Sequence, residues 1–488
     1  MQTSEVTNRL HDKRKGPRMR KSLKYLNILA LLSLSAHAYA DIGASINSCV
    51  TALSATGGVC DFRSMGANST ATLITLNKPV TLLLEDTQIT FTGSAQIVVS
   101  AAGVRIEGTT QSTKLVEGVA TVDVIAGSAA QDLEIRGISF VGVGESSCGT
   151  ASGDAIRLTN SSAGSIARIR VTANDFSGFC EHGVHIQNAT DVWVTDNVIW
   201  NTADGIRFSG VLRGTIAHNN LYDQMYAAIS PYTFGIAIGL DSVNAQNGIS
   251  YPPCNDIQII GNTIGVSSSG MGYSNSEGIL VHAGSNVTIS GNNLHNVLFG
   301  IGVNPFTSGD VISNVTIVGN TYVGPTTTNA TAGSANSGIS VSGAAPNTIP
   351  SNIVISNNAV FQANVAFATP NSAYAGIAIG ANKAVVTGNV ISSVGASGIE
   401  LLNPSNYLLV TDNYVYNVSG SGSSGLYANA AGLSTMSGRI RTNFVTSAAN
   451  GYNFCNMTAS SGLLFGANDT SSVTTAVQCG TNVTQTTF

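Results

Sequence analysis

Residues 180–188, CEHGVHIQN, place two imidazoles beside a carboxylate. Charged side chains make up only 10% of this chain, and beyond residue 40 it holds five histidines and three lysines. The spacing repeats around this stretch: Asp154 precedes Arg157, His182 precedes His185 and Asp204 precedes Arg207, each pair three residues apart. These residue types suit general acid–base work. Asp204, Glu181 and Asp154 are candidate catalytic acids, and His182 could orient or protonate a partner carboxylate. Arg157 and Arg207 could grip a sugar carboxylate with two hydrogen bonds. His185, Asp241, Glu277 and His282 extend the polar set as substrate contacts. Trp193 and Trp200, with Tyr226 in the following loop, offer rings for sugar stacking. The plainer alternative is a solvated face in which Asp204 pairs with Arg207 and the tryptophans are half-buried packing.

Positioning these residues falls to a repeated phrase. VWVTDNVIWNTADGIRFSG, VTISGNNLHNVLFGIGVNP, AVVTGNVISSVGASGIELLN and LLVTDNYVYNVSGSGSSGLYAN share one plan. Each has an alternating strand, an Asn, a short apolar step, a polar loop, and a Gly that opens a second alternating strand. The Asn recurs at Asn174, Asn197, Asn219 or Asn220, Asn262, Asn292, Asn320, Asn357, Asn389, Asn413 and Asn443. That interval is in the range of solenoids. Period-2 alternation makes short strands with one buried face, and no amphipathic helix of useful length is expected beyond residue 40. Strands without crossover helices can stack if the chain winds as a coil, each pairing with its copies about 4.8 Å above and below. Asn tolerates the left-handed corner and can hydrogen-bond along the coil as a ladder. Aligned on the Gly, one outward row reads Arg157, His185, Arg207, Ala237, Leu280, Gly302, Ser340, Ala378, Glu400 and Tyr427. Charge gathers on the early coils. Asp154 and Asp204, two coils apart, are expected roughly 9–10 Å from each other, near the spacing of inverting glycosidases, with Glu181 between them.

The phrases resemble the repeats of the right-handed parallel β-helix superfamily, the fold of pectate lyases, polygalacturonases and phage tailspikes. The resemblance runs from about Val104 to about Asn453 and implies an all-β solenoid over 104–453. Residues 41–103 resemble the amino-terminal cap and first coil of secreted members, and 454–488, which drop the phrase, read as a C-terminal cap. Polygalacturonases carry N-T-D, D-D, G-H-G and R-I-K. This chain has Asn201-Thr202-Ala203-Asp204-Gly205 and Glu181-His182-Gly183, and lacks the doubled Asp and R-I-K. Pectate-lyase-like enzymes use calcium with a Lys or Arg base. Here Arg207, His182 or Tyr226 would serve, with Asp154, Asp204 and Asp241 as calcium ligands. The leading expectation is a secreted polysaccharide-degrading enzyme, glycoside hydrolase-like, using a carboxylate pair in a groove and no cofactor or metal. The alternatives are a lyase eliminating beside a uronate, for which calcium is the cofactor, and a non-catalytic glycan-binding or adhesin-like surface protein.

The bulk composition bounds these readings. Of 488 residues 43% are hydrophobic, enough for a large core. Residues 1–24 carry eight of the 21 Lys and Arg, leaving the rest clearly acidic. That excludes nucleic acid as a partner and leaves neutral or basic glycans. Residues 1–40 read as a secretory signal peptide ending at Ala40, with Met19 as an alternative start. No later stretch is long and apolar enough to span a bilayer, so an exported protein, periplasmic or extracellular and not integral to a membrane, is expected. The seven cysteines fit an oxidising compartment. Cys49–Cys60, Cys148–Cys180 and Cys455–Cys479 are the expected pairs, leaving Cys254 over, although spacing alone leaves the connectivity open. Four sections longer than one turn, 222–256, 264–277, 322–337 and 359–375, are expected to project as loops.

Overall fold

The computed structural model describes residues 41–488 apart from 149–152, 161–164, 225–234, 243–249, 266–270, 273–275, 308, 329–336, 344–348, 366–373, 403–404, 421, 430–435, 458–461 and 487–488. Residues 1–40, the expected signal peptide, and Tyr226 lie outside the described residues, as do parts of the four sections expected to project.

Each coil contributes one strand to each of three parallel sheets. In one coil these are Ala189–Thr195, Val198–Trp200 and Asp204–Ser209. The sheets hold 16, 15 and 15 strands, with neighbours one coil apart. Alternation decides what lies inside. Val192, Val194, Ile199, Ile206 and Phe208 of this coil all enter the core with no exposure. Stacking like on like repeats that burial in every turn, and one continuous core results.

The Asn of the phrase forms a ladder. Asn197 donates from Nδ2 to Asn219 Oδ1 at 2.9 Å and to the Val171 carbonyl at 3.0 Å, and its Oδ1 accepts from the Asn174 backbone N–H at 3.0 Å. The ladder continues through Asn262, Asn292, Asn320, Asn358, Asn389, Asn413 and Asn443 to Asn468. Asn358 takes the rung expected of Asn357, which instead holds the corner at φ 56°. Asn219 takes the rung left open between Asn219 and Asn220.

The Gly of the phrase answers to close backbone approach. A Cβ on Gly205 would stand 2.4 Å from the Ala237 carbonyl, and one on Gly300 2.1 Å from that of Gly338. The coils touch at this corner, which leaves no room for a side chain.

Several expectations are corrected. A helix, Ile42–Ala52, precedes the coils, with Asp41 capping it through Gly43 N–H at 2.8 Å and Ala44 N–H at 3.2 Å. Its buried Ile42, Ile46 and Val50 recur every fourth residue. Two coils, not one, precede Val104: their strands are Gly58–Asp61, Gly66–Thr70 and Ile74–Leu76, then Val80–Leu83, Thr87–Phe91 and Ile97–Val99. Residues beyond 453 go on winding, through Gly462–Gly466, Asp469–Ser471 and Thr475–Gln478. Cys49–Cys60, Cys148–Cys180 and Cys455–Cys479 are disulfides, and Cys254 is a free, buried thiol pushed up to about 12 by burial. Among the described residues no helix is long and apolar enough to cross a membrane.

Candidate functional site

The third sheet gathers the polar residues. Its strands His182–Gln187, Asp204–Ser209, Gly235–Asp241 and Ser276–Val281 lie side by side. The register puts Arg157 beside His185, His185 beside Arg207 and His182 beside Asp204. One row differs from expectation: Arg207 neighbours Gly239, not Ala237, and Asp241 comes to lie beside Ser209. Arg207 passes over Gly239, where a Cβ would just touch its Cγ and Cδ at 3.9 Å.

Val184, Ile186, Ile206 and Phe208 enter the core, so His185 and Arg207 face outward by alternation. Outward here does not mean exposed. Asp154 is 0% exposed, His182 1%, His185 2%, Glu181 3%, Asp204 4% and Arg207 9%. The open groove expected from the alternation is a covered polar layer. Tyr251, itself buried, is part of the cover, and its hydroxyl donates to Gln187 Oε1 at 3.4 Å.

Inside that layer acids and bases alternate. Asp154 Oδ1 meets the His182 backbone N–H at 2.9 Å and His182 Nδ1 at 2.8 Å, while Oδ2 meets His185 Nδ1 at 3.3 Å. Arg157 Nε lies 4.0 Å from Oδ2. His182 Nε2 then faces Asp204 Oδ2 at 3.5 Å. Asp204 accepts from Arg207 Nη1 at 2.8 Å and from the Ile236 N–H at 2.9 Å. Arg207 Nε reaches Asp241 Oδ2 at 2.5 Å, and Asp241 Oδ1 meets His282 Nδ1 at 2.7 Å. The His282 ring packs 5.1 Å from that of Phe306, which is 71% exposed. The imidazole of His182 therefore fills the space between Asp154 and Asp204, where a carboxylate pair would have to admit a glycosidic oxygen. The expected Asp154/Asp204 pairing is not available in this arrangement.

Glu181 stands apart from the ladder. Neither of its carboxyl oxygens has a hydrogen-bond partner, and Oε1 is 3.5 Å from His182 Nδ1. Burial, reinforced by the negative charge of Asp154, pushes its carboxyl up to about 10. It is a neutral acid at pH 7. Burial also drives His182 down to about 3 and lowers His185, so both rings are neutral. Burial works against the charge on Asp154, but the imidazoles of His182 and His185 hold its carboxyl below the usual range. With Asp154 an acceptor, both Nδ1 atoms carry the proton, and both Nε2 atoms, which have no hydrogen-bond partner, keep a lone pair. Burial raises Asp204 to about 6 against the pull of Arg207. Glu277, in the row of Ile236 and Phe299, is pushed by burial to about 8, and its Oε2 has no partner.

The calcium set does not fit. His182 separates Asp154 from Asp204, and the Arg207 guanidinium separates Asp204 from Asp241, so a cation already stands where calcium would. Asp154, His182 and His185 do converge, with one potential ligand atom from each within 4.8 Å of the others. Sequence spacing missed this set because Asp154 lies a full coil away from the histidines.

Trp200 belongs to the second sheet, away from this layer. It stacks on Tyr222 at 6.2 Å and donates from Nε1 to Asp175 at 3.3 Å. Trp193 is on the first sheet, under the Arg170 guanidinium at 4.7 Å. Two acids escaped sequence reasoning. Asp123, raised by burial to about 7, accepts the Asp154 N–H at 3.0 Å, and Glu117, raised to about 8, accepts the Val143 N–H at 3.1 Å. Both sit on a coil where the phrase is weak, so no repeat signal marked them.

Comparison with known proteins agrees on the fold. A family profile described as NosD, periplasmic copper-binding protein, matches residues 96–323, under half of the chain. No curated protein sequence matches. A mutant tailspike protein of E. coli bacteriophage HK620, solved with a hexasaccharide, is 11% identical, with a TM-score of 0.50 over 89% of this chain and 74% of the tailspike. An α-1,3-glucanase catalytic unit from Streptomyces thermodiastaticus is 14% identical, with a TM-score of 0.46 over 87% of this chain and 66% of that one. An alginate lyase from Paenibacillus is 11% identical, with a TM-score of 0.37 over 79% of this chain and 96% of that one.

Proposed function

We propose that this right-handed parallel β-helix is a carbohydrate-active enzyme that hydrolyses a glycosidic bond in a neutral polysaccharide. One observation carries the reading: Glu181, a protonated carboxyl with both oxygens free, lies beside a neutral imidazole oriented by Asp154. Two titratable groups whose surroundings push their proton affinities apart make an acid and a base. Glu181 gives its proton to the leaving glycosidic oxygen as the C–O bond breaks. His182 Nε2 takes a proton from the water whose oxygen bonds to the anomeric carbon, and Asp154 steadies the imidazolium. Asp204 and Arg207 hold the far side of the ring. The charges favour a neutral glycan: Asp154, Asp204 and Asp241 outnumber Arg157 and Arg207, so a uronate gains no net attraction. The reading requires the cover over the third sheet to open to a sugar. An extracellular or periplasmic location suits the three disulfides.

The test is incubation of the full chain with neutral polysaccharides and, separately, with uronate polymers. Release of reducing ends, lost in Glu181→Gln while folding is kept, is the expected result. New ultraviolet absorbance from an unsaturated uronate would replace hydrolysis by elimination. Binding without release from any glycan would make the chain a binding protein.

A second reading rests on the Asp154, His182 and His185 set. Two imidazoles and a carboxylate suit a divalent transition metal, and these residues would hold it as a resident ion, in line with the copper named in the NosD description. Calorimetric titration of chelator-treated protein with Cu2+ or Zn2+ separates the two: stoichiometric binding lost in His185→Ala supports the metal site.

A further inference from the structure

The outer row of the third sheet carries a second polar group far from the first. Beyond Arg207 the row runs through Gly239, Leu280, Gly302, Ser340 and Ala378 to Glu400 and Tyr427. Six coil steps separate Arg207 from Glu400, about 29 Å at 4.8 Å per step. Apart from Leu280 the side chains between are small. Glu400 is 0% exposed, and its Oε1 accepts from Asn429 Nδ2 at 3.1 Å while Oε2 has no partner. A buried carboxyl oxygen without a donor is unusual in a finished structure. Burial raises this carboxyl to about 7.

The surroundings are built, not incidental. Tyr427 and Asn429 stand half-buried on the next coil. Asn456, on the coil after, donates from Nδ2 to the Tyr427 hydroxyl and lies 3.5 Å from Asn429 Oδ1. The turn that carries Asn456 is fixed twice. The Cys455 N–H donates to Asn453 Oδ1 at 3.0 Å, and Cys455 is tied to Cys479. A carboxyl with a free oxygen, two carboxamides and a phenol on adjacent rungs match the donor and acceptor pattern of vicinal hydroxyls on a neutral sugar.

We infer that Glu400, Tyr427, Asn429 and Asn456 form a distal subsite that holds a neutral sugar unit of the chain whose cleavage is assigned to Glu181. The inference rests on that reading for its substrate class and on the geometry at Glu400 for its place. A polymer lying along the third sheet meets both ends of the row, whereas a trisaccharide meets one. Binding energy gained at a remote unit then appears in the affinity for long substrates.

Calorimetry with laminarihexaose, maltohexaose and xylohexaose, and with their trisaccharides, tests the assignment on the full chain. One hexasaccharide binds the wild type, and its affinity falls about tenfold or more in Glu400→Ala and Asn456→Ala, the loss expected when a hydrogen-bonding partner of the sugar is removed. Asn456 is exposed, so Asn456→Ala also keeps the thermal midpoint, which a purely structural role would not combine with weaker binding. Unchanged hexasaccharide affinity in both variants overturns the subsite, as does absence of binding by all three hexasaccharides. Binding that depends on Glu400 in a chain that cleaves none of them supports the subsite and overturns the catalytic reading instead.

Discussion

Two carboxyl groups, Glu181 and Asp154, approach the same imidazole nitrogen, at 3.5 and 2.8 Å, yet differ by a proton. The difference lies in hydrogen bonding. Asp154 receives two ring donors and a backbone N–H, and Glu181 receives none. Asp154→Asn keeps the size of the side chain but removes the anion that fixes both Nδ1–H tautomers, and hydrolysis is expected to fall by about 10²–10⁴. Initial rates at saturating glycan check this, with circular dichroism to confirm folding. The pH profile is a second test. An ordinary glutamic acid would lose its proton near pH 4.5, but Glu181 keeps it until about 10, and His182 remains a base down to about 3. Activity should therefore persist up to about pH 9, and an alkaline limb near pH 5 would remove Glu181 from its role. The residue types were legible in sequence, through three ionisable pairs at one spacing. Their burial was not. Alternation says which side of a sheet a residue faces, and Tyr251, part of the cover over that side, comes from a section outside the repeat.

The ladder and its corner show what one rung contributes. Asn320 Oδ1 accepts from Asn292 N–H and Nδ2, both at 2.9 Å, and its own Nδ2 reaches Ile289 O at 2.9 Å and Asn358 Oδ1 at 3.0 Å. Asn320→Ala strands several buried partners at once and is expected to cost about 2–4 kcal/mol, each unsatisfied group being worth about 1–3 kcal/mol. Asn357→Ala removes an exposed side chain at φ 56° and is expected to cost about 1 kcal/mol, the strain of a left-handed backbone without Asn. Equilibrium denaturation of the two variants compares them, and equal midpoints would remove the ladder as a source of stability. The pair also marks a limit of sequence reading. In SNNAV either Asn satisfies the pattern, and only the hydrogen bonds decide that the first takes the corner and the second the rung. A long insertion before Gly235 likewise moved the row from Ala237 to Gly239, since a loop of unknown path carries no register.

At the scale of the whole molecule, buried acids couple folding to pH. Burial raises Glu117 and Glu277 to about 8, Asp123 and Glu400 to about 7 and Glu181 to about 10. Unfolded, these groups ionise near pH 4–4.5, so between about pH 5 and 8 the native state binds more protons. Stability then falls as pH rises. The buried His182 and His185 act in the opposite sense below about pH 6.5, but two rings do not offset five acids. The thermal midpoint should be higher at pH 6 than at pH 8.5, and the reverse order would contradict the buried, protonated acids. The ends of the solenoid raise a different matter. A stack of parallel strands leaves an open edge at its first coil, which invites pairing with another chain. The helix Ile42–Ala52 covers that end. Ile46 is fully buried, while Asn47 donates to Leu73 O at 2.7 Å and accepts from Thr75 N–H at 2.8 Å, occupying the outer strand's free groups. Lys78 Nζ ties the helix end through Thr51 O at 2.8 Å and Leu53 O at 2.6 Å. Ile46→Asp places a charge in that contact and should unseat the helix, exposing the edge while the distant coils stay wound. Light scattering is expected to show association of the variant through this end, with β-sheet circular dichroism retained. Thr51→Asp, on the exposed side of the same helix, should match the wild type. An Ile46→Asp protein with the wild-type mass in solution would mean that the open edge does not depend on this helix for protection.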